Sequence, residues 1–303
     1  MAVYETHLAL PLVARGKVRD IYECDKNLVL VATDRLSAFD VVFPDPIPFK
    51  GIVLNQMSAY WFRATKEIIP NHLISALPRG CGDVSFEAPD LWGRVSLCAK
   101  AQPLPVECIV RGYLEGSAWA EYQRTQSICG IKLPSGLRRR QALPTPIFTP
   151  TTKAQSGHDQ PISFAEVVDL IGLEAAEMVR LKSLELYAFA HEQLLAKGIV
   201  VSDTKFEFGI KDGEIILIDE ALTPDSSRFW EAEPYLNNGE AISLDKQYVR
   251  DYVESIGWDK QPPAPRLPEH VINETSRRYL EIFQRVTGQS LEEALGYQQN
   301  VSS

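Results

Sequence analysis

The 303-residue chain is 45% hydrophobic and 23% charged, the balance of a folded globular protein and not of a disordered one. With 31 basic against 40 acidic residues it carries a net charge of −9, which excludes broad electrostatic binding to nucleic acid; anionic ligands must be held by a few locally placed bases. No run approaches the length of a membrane span and no basic-then-apolar leader opens the chain, so neither a membrane helix nor a signal peptide is expected.

Residues 15–23, RGKVRDIYE, set Gly16 between two bases and add Arg19 before an apolar pair. The pattern is neither a Walker A loop nor GxGxxG, and alone it reads either as a phosphate-holding turn or as the solvated start of a strand. KVRDIYEC and NLVLVATD flank a tight turn at Asp25-Lys26-Asn27 and predict a hairpin. NQMSAYWFRATKEII predicts a helix ending at Pro70, and RVSLCAKA and VECIVRGYL, on either side of QPLP, predict a strand pair. Ser117 is expected to cap the helix that AWAEYQRTQ begins. Residues 134–162 read as a long Pro, Thr, Ser and Gly loop, with Arg138–Arg140 as solvated bases; within it 149–160, carrying Lys153 and His158, is expected to act as a lid.

Ser163 and Glu166 form a capping box before FAEVVDLIG. A helix over about 174–197 follows, with Leu181, Leu184, Ala188 and Leu195 on its predicted apolar stripe. Two strands, IVVSDTKFEFGI and EIILIDE, lead past a proline-rich joint to a last helix near 269–287. This order, β-rich and then mixed, predicts an α+β fold of two lobes, 1–110 and 111–303. Five cysteines at wide spacings, without CxxC, argue against a disulfide framework or a zinc site; free thiols and a cytosolic setting are expected.

SDTKFEFGIKDGEIILIDE is the most informative segment. Asp203, Lys205 and Glu207 alternate with Thr204, Phe206 and Phe208, so the charges share one face of a strand. For Asp203 and Lys205 an ordinary solvated face is the favoured reading. Glu207 and Asp219, the latter closing an apolar strand, are read as a pair that could hold Mg²⁺ with nucleotide phosphates. That pairing requires both side chains on one face, which predicts a three-residue Lys211-Asp212-Gly213 loop with Glu207 opposite Leu217. Arg228, in TPDSSRFW, and Arg111 with Ser117, in VRGYLEGSAW, are placed where an anion could be held or where a helix is merely capped.

Together LPLVARGKVRDIYE, VATDRLSAFDVV, PVECIVRGYLEGSAWAEY, PIFTPTTKAQSGHD, SDTKFEFG and LIDEALTPDSSRFW resemble SAICAR synthetase, closest to the monomeric fungal type. The resemblance implies a cleft between an N-terminal β lobe and a larger α/β lobe, with ATP as co-substrate. It implies ATP-driven joining of L-aspartate to carboxyaminoimidazole ribonucleotide (CAIR). By the same resemblance Gly16, Lys17 and Arg19 meet the ATP phosphates, Glu207 and Asp219 hold Mg²⁺, and Lys153 approaches the γ-phosphate. Arg111, Ser117 and Arg228 are implied to hold the CAIR phosphate, Asp203 its ribose, and Arg250 its carboxylate or phosphate. Lys205 joins Lys153 and Asp219 as an expected catalytic residue. Asp34, Ser37 and Asp40 either border the substrate or only shape a loop. Another phosphotransferase with a kinase-like cleft, or a nucleotide-binding protein without turnover, are the rival readings.

Overall fold

The structure, a computed structural model, describes residues 2–153 and 159–296. Two antiparallel sheets organise it. The first runs in the order Leu12–Arg15, Arg19–Cys24, Asn27–Ala32, Val95–Ala99, Leu73–Ser75. The second runs Ala142–Phe148, Gln102–Tyr113, Ile199–Lys211, Glu214–Ile218, with Thr151–Thr152 and Ser227–Glu231 pairing off that path. The architecture is therefore α+β, as the element order predicts. The expected division at residue 110 needs correction, because 110 lies inside Gln102–Tyr113 and the sheets part at residues 100–101. The anticipated pairing of RVSLCAKA with VECIVRGYL fails for the same reason: QPLP is no turn but the opening of a 12-residue strand in the other sheet.

The helix Lys50–Ala64 starts earlier than its sequence suggests and is buried almost all round. Its apolar residues enter a core shared with Ile199, Phe206 and Phe208 of the second sheet and with Tyr279 and Phe283 of the helix Glu269–Thr287. Its two amides are not stranded there, since Asn55 and Gln56 both donate to the Gly93 carbonyl, at 2.9 and 2.8 Å. The sheet edges are tied by backbone as well. His72 donates to the Leu217 carbonyl at 3.0 Å, and its own carbonyl accepts from Ala99 at 2.8 Å.

Several local readings hold. The capping box at Ser163 and Glu166 opens Phe164–Ile171, and of the apolar stripe expected on the last helix, Ile272, Thr275, Tyr279, Phe283 and Val286, all but the half-buried Ile272 are buried. Others do not. Glu115 caps Gly116–Thr125, so Ser117 lies within the helix. The long helix, Leu173–Leu195, buries Val179, Leu186, Ala190 and Leu194, while Leu181 is 52% exposed; the true stripe is offset from the one expected. Residues 134–162 contain two strands instead of one long loop, and Arg139 and Arg140 both clasp the buried Glu115 carboxylate. The expected lid falls partly outside the described residues, as does His158. Cys24 and Cys81 form a disulfide, against the expectation of free thiols: the short hairpin Gly80–Cys81 and Val84–Ser85 packs over the end of Arg19–Cys24 and brings together residues 57 apart in sequence.

Asp34 is a loop residue with no access to substrate. It is fully buried and takes four donors: Val3 N at 2.7 Å, Gly51 N at 2.8 Å, and the Arg94 fork at 3.0 and 3.1 Å. Arg94 is itself 2% exposed, so it cannot turn to water. Asp34→Ala leaves an uncompensated buried guanidinium and should lower the unfolding free energy by roughly 3–5 kcal/mol, read from urea or thermal denaturation.

Candidate functional site

The alternation of Ile199–Lys211 turns Thr204, Phe206 and Phe208 into the core and Asp203, Lys205 and Glu207 to the opposite face. That face is not solvated. Asp203 and Glu207 are both buried, and Lys205 is only partly exposed. The neighbouring strands explain how the charges are tolerated. Arg111 and Arg228 stand directly opposite Asp203 on its two sides, and both donate to Asp203 Oδ2, at 2.8 and 2.5 Å. Glu107 stands opposite Glu207, a like-charge pair relieved by the Lys205 ammonium, 2.6 Å from Glu107 and 3.6 Å from Glu207. Lys153 bonds Glu207 from its other side.

The hairpin register is the one the sequence reading rejected. Asp212 and Gly213 form a two-residue turn with φ of 52° and 86°, and Lys211 pairs with Glu214, Glu207 with Ile218. Asp-Gly suits a turn that needs positive φ at both positions, and its twist matches the strands. The face argument nevertheless does not exclude Asp219, because the ladder stops at Ile218 and Asp219 takes a left-handed φ of 63°. Its side chain accepts from Arg19 Nη1 at 3.3 Å, and Glu220 accepts from Nη2 at 2.6 Å.

A cleft of about 620 Å³ between the sheets is bordered by Gly16, Lys17, Arg19, Ser37, Lys153, Glu207 and Asp219. A contiguous recess of about 230 Å³ is bordered by Arg111, Ser117, Asp203 and Arg228. Lys205, Asp225, Lys246 and Arg250 border both. Every site residue named from the sequence thus lies on one chamber or the other, except Asp34, which borders neither. Lys17 pairs with Asp40 at the rim, both about half exposed. The turn at 16–18 is held from beneath by Arg35, which donates to the Gly16 and Lys17 carbonyls at 2.9 and 3.1 Å. Gly16 has no positive φ, and a Cβ there would meet only the Arg19 carbonyl, at 3.5 Å.

Sequence reading missed Glu107, Asp225 and Lys246. The signal for Glu107 was available, as a lone carboxylate in VECIVRGY; nothing local marks Lys246 as buried. Asp225 accepts from Lys50 at 2.6 Å and from Tyr279 at 2.8 Å, with Lys246 3.7 Å away. The two partly buried cleft lysines are driven in opposite directions. Burial would lower Lys205, but Glu207 and Glu107 raise it. Burial lowers Lys246 to about 8, and Asp225 does not compensate against Arg250 and Lys50.

Among the described residues no trio of ligand atoms at the cleft lies close enough for an all-protein metal site; the one such trio, Cys24, Asp25 and Cys81, does not border it. Among the carboxylates that border the cleft, Glu207 and Asp219 offer hard oxygens, which suit a cation that shares its shell with phosphates.

A cleft alternating cations with carboxylates between two sheets defines an enzyme for polyanionic small molecules. The SAICAR synthetase family model matches residues 12–265. The chain is 52% identical to a phosphoribosylaminoimidazole-succinocarboxamide synthase of Geotalea uraniireducens and 53% identical to one of Thermodesulfovibrio yellowstonii. These alignments cover 92% and 94% of this chain and 95% and 98% of those proteins. The SAICAR synthase of Saccharomyces cerevisiae, solved with SAICAR, superposes with a TM-score of 0.86 at 40% identity, over 95% of this chain and 99% of that one. Another SAICAR synthetase structure, solved with ADP, gives 0.68 at 26%, over 91% and 98%. The chain belongs to the SAICAR synthetase family. It is an ATP-dependent carbon–nitrogen ligase of purine biosynthesis that joins L-aspartate to CAIR to give SAICAR, which removes both rival readings.

His72 underlies the Arg19 and Asp219 contact. Burial lowers its imidazole from 6.5 to about 4, with Asp219 opposing and Arg19 adding to the effect. The unfolded chain then binds more protons between those values, so stability is complete above pH 6.5 and lost as pH falls towards 4. The loss should approach about 3 kcal/mol, and His72→Phe should flatten that limb of the Tm–pH profile.

Proposed function

We propose that the larger cleft holds ATP and the recess holds CAIR, so that the γ-phosphate and the CAIR carboxylate meet beside Lys205, Lys246 and Arg250. The observation that carries this is the continuity of the two chambers through those shared residues. In the recess, Arg111, Arg228 and Ser117 bind the 5′-phosphate, giving up the Arg111–Ser117 bond and part of the arginines' hold on Asp203 for charge-assisted bonds to it. Asp203 Oδ1 is buried without a partner and accepts a ribose hydroxyl. Arg250 faces the carboxylate end.

In the cleft, the turn at Gly16 and Lys17 lies over the ATP phosphates. Arg19, already committed to Asp219 and Glu220, orders the carboxylates beneath them. Lys153 leaves Glu207 for the γ-phosphate, and Lys205 neutralises charge as the phosphoryl group moves. Glu207 and Asp219 hold Mg²⁺, whose charge, when bound, screens the phosphates and polarises them for transfer. A carboxylate repels nucleophiles and leaves poorly; phosphorylation cures both defects, so the protein's task is positioning and charge neutralisation. A monomer working in the cytoplasm fits the place of the reaction in purine biosynthesis, while the Cys24–Cys81 disulfide is the feature that stands against a reducing compartment; no helix among the described residues is long and apolar enough to cross a membrane.

Gly16 tests the phosphate turn, because its backbone conformation asks nothing of glycine. Gly16→Ala should leave Tm nearly unchanged and raise the ATP KM, as the ligand approaches where the methyl would stand. Lys17→Ala should also raise the ATP KM, by about 10-fold or more for a charge-assisted contact of roughly 1.5–3 kcal/mol. An unchanged KM in both would remove ATP from this turn. Arg228→Ala should raise the CAIR KM by a similar factor while leaving the ATP KM in place. Glu207→Gln should shift the Mg²⁺ dependence of activity to higher concentration, measured by titration at fixed ATP.

A further inference from the structure

Aspartate enters the reaction as an ammonium, which has no lone pair to attack with, so a proton must go before the C–N bond forms. We infer that Lys246 is the base that takes it. The inference rests on the placement of ATP and CAIR in the two chambers.

Position singles this residue out. Three cationic side chains border both chambers: Lys205, Lys246 and Arg250. Arg250 cannot lose a proton. Lys205 is held as an ammonium between Glu107 and Glu207. Lys246 has no such hold. Its nearest carboxylate oxygen is Asp225 Oδ1 at 3.7 Å, beyond hydrogen-bond reach, and that carboxylate already accepts from the fully buried Lys50 and from Tyr279. Asp245, its neighbour in the chain, spends its oxygens on the Phe229 and Gln247 backbone.

The charges around it point the same way. Lys50 from the first-lobe helix and Arg250 from its own helix face Lys246 as cations; Asp225 and, further off, Glu220 face it as anions. One carboxylate shared by two ammoniums leaves the accessible one as the proton to lose. The Nζ lowered to about 8 is then neutral often enough near neutral pH to act, yet basic enough to accept. Once protonated it rests beside Asp225, which stays ionised because Lys246 and Lys50 outweigh its burial.

In the step itself, neutral Nζ takes one proton from the aspartate ammonium. The freed pair forms the C–N bond at the CAIR carboxyl carbon, activated by phosphoryl transfer from ATP. The carbon–oxygen bond to the phosphorylated oxygen breaks, its pair leaves with phosphate, and the second nitrogen proton goes with that phosphate. The Lys246 proton returns to water.

Lys246→Arg keeps the charge and removes the base. With L-aspartate, kcat should fall by about 100-fold or more, the scale of a lost general base, while the KM values for CAIR and ATP hold. Hydroxylamine, unprotonated at neutral pH, needs no base. ATP- and CAIR-dependent hydroxamate formation should therefore survive in the variant at close to the wild-type rate. In the wild type, kcat with aspartate should rise with pH through about 8, and the hydroxylamine reaction should lack that limb. Near-wild-type turnover of aspartate by Lys246→Arg would overturn the inference, as would an identical pH limb with both nucleophiles. Parallel loss of the hydroxamate reaction would make Lys246 a charge in the phosphoryl step. A raised CAIR KM would make it an anion clamp and leave the chamber assignment standing, whereas failure of CAIR to bind at Arg228 and Arg111 would strike that assignment alone. The wild-type comparison decides the matter even if the variant does not fold.

Discussion

The site depends on a strand that carries charge on a largely buried face. Asp203, Lys205 and Glu207 occupy three successive outward positions of Ile199–Lys211, and ionised groups at such depth persist only when paired. Pairing comes from the flanking strands at directly opposed positions: Arg111 and Arg228 bracket Asp203, and Glu107 meets Glu207 with Lys205 between. The arrangement reaches neutrality only approximately and only among residues that ligands also want. On the proposed reading, a phosphate at Arg111 and Arg228 shares donors that now serve Asp203, so it meets guanidinium groups already desolvated and held in place instead of an empty socket.

How much of this was legible varied with the kind of pattern. Local signals read well: the Ser163 capping box, the alternation of DTKFEFG and the apolar stripe of 269–287 all depend on neighbours a few residues apart. Nonlocal facts did not. Whether Asp203 and Lys205 are solvated is decided by the strands beside them, and the sequence alone makes a surface hairpin the cheaper explanation. QPLP looks like a turn until the strand that follows proves to belong to another sheet. The hairpin register failed instructively. The chemical premise, that Glu207 and Asp219 border one site, led to a longer loop, while Asp-Gly demanded a two-residue turn. The left-handed backbone at Asp219 reconciles them, since a residue that leaves the ladder is released from its face rule. The site residues named through family resemblance border the chambers, Asp34 excepted; Lys246 and Asp225 were missed because what sets them apart is how poorly one is paired and how fully the other is engaged.

The lobes are not a free jaw. The first-lobe helix Lys50–Ala64 shares its core with Glu269–Thr287, Trp92 donates to the Leu295 carbonyl at 3.3 Å, and Leu36, Phe43 and Ile47 pack against Val249, Val253 and Val271. Opening the cleft by rotating one sheet away from the other would break these contacts together. Access is left to the rim, where Lys17 and Asp40 are exposed.

Tyr279 gives that strapping a chemical side. It belongs to a helix beyond residue 265, where the family match ends, yet its hydroxyl holds one oxygen of Asp225. The electrostatics of the proposed catalytic chamber are thus set partly by a segment outside the frame that defines the family. Relatives that differ in this tail need not share the same acid–base poise even where their motifs coincide letter for letter, and the tail becomes a natural place for evolution to retune the pH response without touching a single substrate contact.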